Sequence, residues 1–207
     1  MTLGKMKIWR LFVPAVLIVI YGMVLAHIVA NVQLGMPDLS KAPYLIIFLI
    51  PAVLYYITPI RSWINEGSHT KIVENLRSGM VKIAGYDDDP QKYSWINLRS
   101  LFFKLVDEDK TLSTKASLAY FNGLIWTGLA DSAAISFGYA LVSIGLFYFD
   151  APNALVALVL FTTVVIISLL GNRVAANRQI SIGNEQLEVM KFEHKAAIEK
   201  RLNQLDQ

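Results

Sequence analysis

The chain has 207 residues, 55% of them hydrophobic and 17% charged, where an ordinary soluble domain carries about 25% charged residues. That deficit, a mean hydropathy of +0.46 and apolar residues gathered into long runs exclude a disordered tail, a nucleic-acid arm and most soluble enzymes. Net charge is only +3 and cysteine is absent, so neither a disulfide framework nor a thiolate metal site exists.

A helix that crosses a membrane needs about 20 mostly apolar residues. Four stretches satisfy this, and strand-like alternation is missing, so the expected fold is all-α and polytopic. Residues 1–60 carry spans one and two. Span one runs from about Ile8 to Val32 behind Lys5, Lys7 and Arg10. Its apolar stretch exceeds the roughly 7–15 residues of a signal-peptide core, so it reads as an anchor. Span two runs from Pro43 to Ile60, with Pro51 expected to kink it.

Residues 61–116 read as a helical cytoplasmic insertion. Ile72, Val73, Leu76, Met80 and Ile83 form one apolar helical stripe. Gly85 stands where a glycine would end that helix. Asp89 before Pro90 reads as a cap and first residue of a second helix, running to about Val106. That helix is expected to bury Trp95, Ile96, Phe102, Phe103 and Val106. Residues 107–110 form a turn, and Ser113 or Thr114 caps a third helix.

Residues 117–171 hold an interfacial segment and spans three and four, the latter from about Ala151 to Leu170. Residues 172–207 form a helical tail with a break or kink expected at Gly183-Asn184. Simple packing of the tail on the insertion fits its imperfect heptad better than a coiled coil with another copy. Of the 19 Lys and Arg residues, all but Lys41 fall on one side of this layout. Both termini and the insertion are therefore expected in the cytoplasm.

Candidate chemistry is sparse. No nucleophile elbow, phosphate loop or dinucleotide fingerprint is present, so no catalytic residue, cofactor site or metal site is expected. Asp87, Asp88 and Asp89 lack calcium-loop spacing and read as a turn plus a cap. His27, His69 and His194 are scattered. His27 is either a hydrogen-bonded interface residue or a proton sensor. Asp131 is the acid inside an apolar stretch. It is either a helix cap at the membrane surface, with span three starting at Ser132, or a functional acid at depth.

Span three has two faces. Ser132, Ser136, Tyr139 and Ser143 form a polar stripe, with Gly138 and Gly145 placed beside it as points of close helix approach. Phe137, Leu141, Ile144 and Tyr148 lie opposite. The stripe either packs against the protein's own spans or lines a water-filled path in an oligomer.

The plan as a whole resembles small four-span membrane subunits of bacterial anti-phage systems. These include the membrane subunit of the Kiwa system and the membrane effectors of retron-type and cyclic-nucleotide systems. The resemblance lies in topology and carries no residue motif. It implies a homo-oligomer in the bacterial inner membrane, in contact with lipid and with a soluble cytoplasmic protein, and with no direct nucleic-acid contact. Two functions remain open: a non-enzymatic anchor or sensor that docks the soluble partner, or a pore-forming, depolarising effector.

Overall fold

The computed structural model describes residues 3–32, 35, 50, 51 and 53–206, without the side chains of residues 3–9 and 11. Every regular element among the described residues is a helix. In chain order these are α1 (Leu3–Ala30), α2 (Ile60–Ile83), α3 (Trp95–Glu108), α4 (Lys110–Tyr148), α5 (Ala154–Glu193) and α6 (Lys195–Leu205). Residues 53–57 are also helical. Three helices are long and apolar enough to cross a membrane: α1 over Phe12–Ala30, α4 and α5. Span two lies largely outside the described residues.

Two helices are longer than expected. α4 has 39 residues and α5 has 40, about 60 Å each at 1.5 Å per residue. A hydrocarbon layer is only about 30 Å thick, so both extend well beyond one span. α4 begins at Lys110, not after a cap at Ser113 or Thr114. Asp109 caps it, its carboxylate accepting from the backbone N–H of Thr111 and Leu112 at 2.7 and 3.0 Å. Helix runs unbroken through residues 117–131 into Ser132. The expected break at Gly183-Asn184 is also absent, and helix α5 continues to Glu193.

The chain divides into two compact units. The first comprises Met1–Asn65 and Leu124–Arg173, the second Glu66–Gly123 and Val174–Gln207.

In the first unit, Ala140, Ala157 and Phe161 form a buried cluster against Tyr21, Val24 and Leu25. The Tyr139 ring stacks on Phe161 with centroids 5.2 Å apart, and Tyr21 tilts onto it at 5.7 Å. The turn after α4 contains two left-handed residues, Asn153 at φ 54° and, closing the helix, Asp150 at φ 53°. Its N–H bonds the Phe147 carbonyl, and the next N–H reaches back to Leu146. This is a Schellman closure with aspartate in place of the usual glycine.

In the second unit, Met80, Leu98, Phe102, Leu112, Met190 and Ile198 are buried in one apolar core. The tail thus packs on the insertion within one chain. Helix α2 ends as expected: Gly85 has φ +79° and carries the same Schellman pair of hydrogen bonds. Helix α3 starts later than expected, at Trp95. Asp89 caps only a single turn, accepting from the N–H of Gln91 and Lys92. Ile96 and Phe103, expected inside, are 65% and 47% exposed. They share the outer face of α3, while Leu98, Phe102, Leu105 and Val106 take the inner one.

Arg77 is the buried cation of this unit, only 2% exposed. Its guanidinium binds both carboxylate oxygens of Glu74, one oxygen of Asp88 and the Tyr93 carbonyl. Ser78 donates to the other Asp88 oxygen at 2.7 Å. The loop after α2 is thereby fastened to α2. Tyr93 and Lys92 in turn hold Asp206 at 2.6 and 2.9 Å, which fixes the end of α6.

Gly79 and Gly183 mark where α2 and α5 come closest. A Cβ on Gly79 would sit 2.2 Å from a Leu187 methyl, and one on Gly183 would sit 3.3 Å from Leu76. Gly79→Val is expected to destabilise the second unit by about 1–3 kcal/mol, the usual cost of overpacking. Urea unfolding of the reconstituted chain checks it.

The pH response has a definite sign. The hydrogen bond from Arg77 lowers the Glu74 pKa, and those from Ser78 and then Arg77 lower that of Asp88. Groups lowered by folding contribute stability above their unfolded value, near 4, and lose it as pH falls through the folded value. The second unit is therefore expected to weaken below about pH 4. Asp88→Asn should flatten that acid limb, as followed by circular dichroism across pH.

Candidate functional site

Asp131 lies in the interior of α4, one-half of the way along its length, and its side chain is fully buried. It is not a helix cap. No backbone N–H is left open at this point of a continuous helix, so a cap has nothing to bind. What it meets is a cation. Arg61 Nε lies 3.1 Å from Asp131 Oδ1, and the Tyr55 hydroxyl donates to the same oxygen at 3.1 Å. Oδ2 has no hydrogen-bond partner.

Arg61 sits in the first turn of α2 and is itself held. Its Nη1 donates to the Arg10 carbonyl at 3.5 Å, and its guanidinium lies 5.9 Å over the Tyr56 ring. The Arg61 carbonyl accepts from Asn65 Nδ2 at 3.1 Å. The arginine side chain is 18% exposed, the aspartate 0%. The pair therefore neutralises a carboxylate that nothing outside the protein reaches.

The polar stripe of α4 also turns inward. Ser132 Oγ is 2.8 Å from both the Tyr21 hydroxyl of α1 and Ser168 Oγ of α5. Tyr139 donates to the Ile18 carbonyl at 2.7 Å, close over Gly22. Ser143 bonds its own helix at the Tyr139 carbonyl, and Ser136 is buried with no partner for its hydroxyl. Asn172 extends the pattern by donating to the Trp126 carbonyl at 2.8 Å. Hydroxyls that bond across three helices knit them together. Ser132, Ser136 and Ser143 are all buried within the single chain.

Gly138 does not belong to this face. At about 100° per residue it lies about 120° from the stripe. It is exposed, and a Cβ there would meet nothing within 4 Å. Gly145 is equally open. The close approach falls instead at Gly22, whose Cβ position is 3.0 Å from the Tyr139 hydroxyl. Phe137, Leu141, Ile144 and Tyr148 are exposed, which makes them the outward face. His27 is exposed near the end of α1. Of the acidic triplet, Asp88 serves Arg77 and Asp89 caps a turn.

Reasoning from sequence missed Arg61. It stands one residue beyond the expected end of span two and was assigned to the insertion. A signal was available: an acid in an apolar stretch demands a cation, and long basic side chains at span edges reach inward. No protein family, curated protein or solved structure matches the chain.

Removing one partner of a buried pair leaves an uncompensated charge, at about 3–5 kcal/mol. Arg61→Met is expected to cost that much in thermal unfolding of the reconstituted chain. The double variant Arg61→Met, Asp131→Leu should recover most of it. Gly138→Leu should be silent in the same assay.

Proposed function

We propose that the chain is a non-enzymatic anchor or sensor of the bacterial inner membrane that presents a helical body to a soluble cytoplasmic protein. The observation that carries this reading is the second unit. Residues 66–123 and 174–207 build an apolar core of their own, closed by Arg77 and by the contacts of Asp206. Loops that merely join membrane helices need no such core. An independent folding body attached to apolar helices is suited to binding something outside the membrane. The inward-facing stripe and the paired Asp131 favour this over a conducting path.

On this reading span two, residues 43–60, also crosses the membrane, making four spans, and both termini and the insertion are cytoplasmic. The chain works as a homo-oligomer in contact with lipid, and its setting is anti-phage defence. The charge count per loop supports the orientation. The outline shared with small anti-phage membrane subunits supports the setting.

Reporter fusions at Gln33 and Asn153 are expected to be exported, and those at Asp88 and Gln207 to stay inside. The full chain, purified from native membranes, is expected to retain a soluble protein. Arg77→Ala should release that protein while the chain remains in the membrane fraction. Collapse of the membrane potential on production of the chain alone would overturn the anchor in favour of the depolarising effector.

A further inference from the structure

The second unit carries a groove of about 470 Å³ between the start of α4 and the last turns of α5. Phe192 lines it and is 75% exposed. It stands two residues beyond core residue Met190 and is not itself part of that core. An exposed aromatic in a concave site is the kind of residue that dominates binding energy once covered.

The charges around it are unbalanced. Asp109, Glu185, Glu188 and Glu193 line the groove against a single cation, Lys115. Lys115 is spent on Glu185 at 2.7 Å, and Asp109 on His194 at 2.9 Å. Among the described residues Glu188 and Glu193 have no ion-pair partner. The chain as a whole is basic, at +3, so this acidic patch stands against the general trend.

We propose that this groove binds a basic segment of the soluble partner protein, with an apolar side chain seated on Phe192 and lysine or arginine paired to Glu188 and Glu193. The proposal rests on the anchor reading above and names where its partner docks. Charge complementarity selects the occupant. An acidic partner is repelled, and so is the anionic cytoplasmic leaflet of a membrane. The pairing predicts binding that weakens with salt, as expected for rim charges around an apolar centre.

The first test uses a short fluorescent peptide of lysine and leucine and the full chain in phosphatidylcholine nanodiscs. Fluorescence anisotropy is expected to show binding, weakened about tenfold by Glu188→Lys with Glu193→Lys, and also weakened by Phe192→Ala. The matched reversal of two exposed acids elsewhere, Asp87→Lys with Asp107→Lys, should change it little. Equal weakening by both pairs would reduce the effect to general charge and overturn the proposal, as would indifference to Phe192→Ala. The second test places a photo-crosslinker at Phe192 or at Phe103 in native membranes. A protein adduct at Phe192 that disappears with the Glu188, Glu193 reversal supports the groove. A protein adduct at Phe103 alone overturns the groove and leaves the anchor reading intact. No protein adduct at either position overturns both. A dimer or lipid adduct at Phe192 assigns the groove to a second copy or to the membrane, and overturns the proposal.

Discussion

A carboxylate in the interior of a long apolar helix has to be neutralised by the chain that contains it, and in this protein Arg61 does so. The constraint reaches beyond the two residues. Because Asp131 lies in the interior of α4, the start of α2 must come to it, and Tyr55 with it. Because Arg61 is held there, its Nη1 is directed to the Arg10 carbonyl and so to α1. One ionised group thus determines where three segments of the first unit converge. The hydroxyl contacts of Tyr21, Ser132 and Ser168 continue the same logic at the very next residue of α4. Away from water, a polar group gains most from a partner within the fold, which Tyr21, Ser132 and Ser168 have and Ser136 lacks.

The second unit solves the related problem in the opposite sense. There the buried group is a cation, and Arg77 is supplied with two carboxylates and a carbonyl from nearby backbone. Its partners lie within 16 residues of it in sequence, so the site closes locally. Asp131 draws on partners 70 and 76 residues away. The first arrangement stabilises a loop on a helix. The second links distant parts of the chain.

That difference in range explains what could be read in advance. Gly85 is legible because its role is local: a left-handed residue directly after an apolar stripe. The inner positions Phe102 and Val106 follow from helical spacing. Phe103 and Ile96 do not, because spacing identifies a face only when the helix start is right, and α3 begins five residues after Pro90. Gly138 misled for a related reason. Small size permits close approach, but which side of a helix receives a neighbour is decided by residues such as Gly22 and Tyr139 on two different helices. Helix length was underestimated where glycine or a polar pair suggested a stop. At Gly183-Asn184 the glycine admits Leu76, and Asn184 accepts from Asn75, so both residues serve a contact and not a break.

The core of the second unit is assembled from two stretches that are far apart in the chain, with Leu124–Arg173 of the first unit made in between. During synthesis, Met80, Leu98 and Phe102 emerge long before Met190, Ile198 and Leu202 exist to cover them. The early half must therefore wait, partly uncovered, until α6 arrives. Contacts of such high sequence separation form late and leave apolar surface open to aggregation meanwhile. Until α6 is made, the core of the second unit lacks Ile198 and Leu202 and stays unclosed.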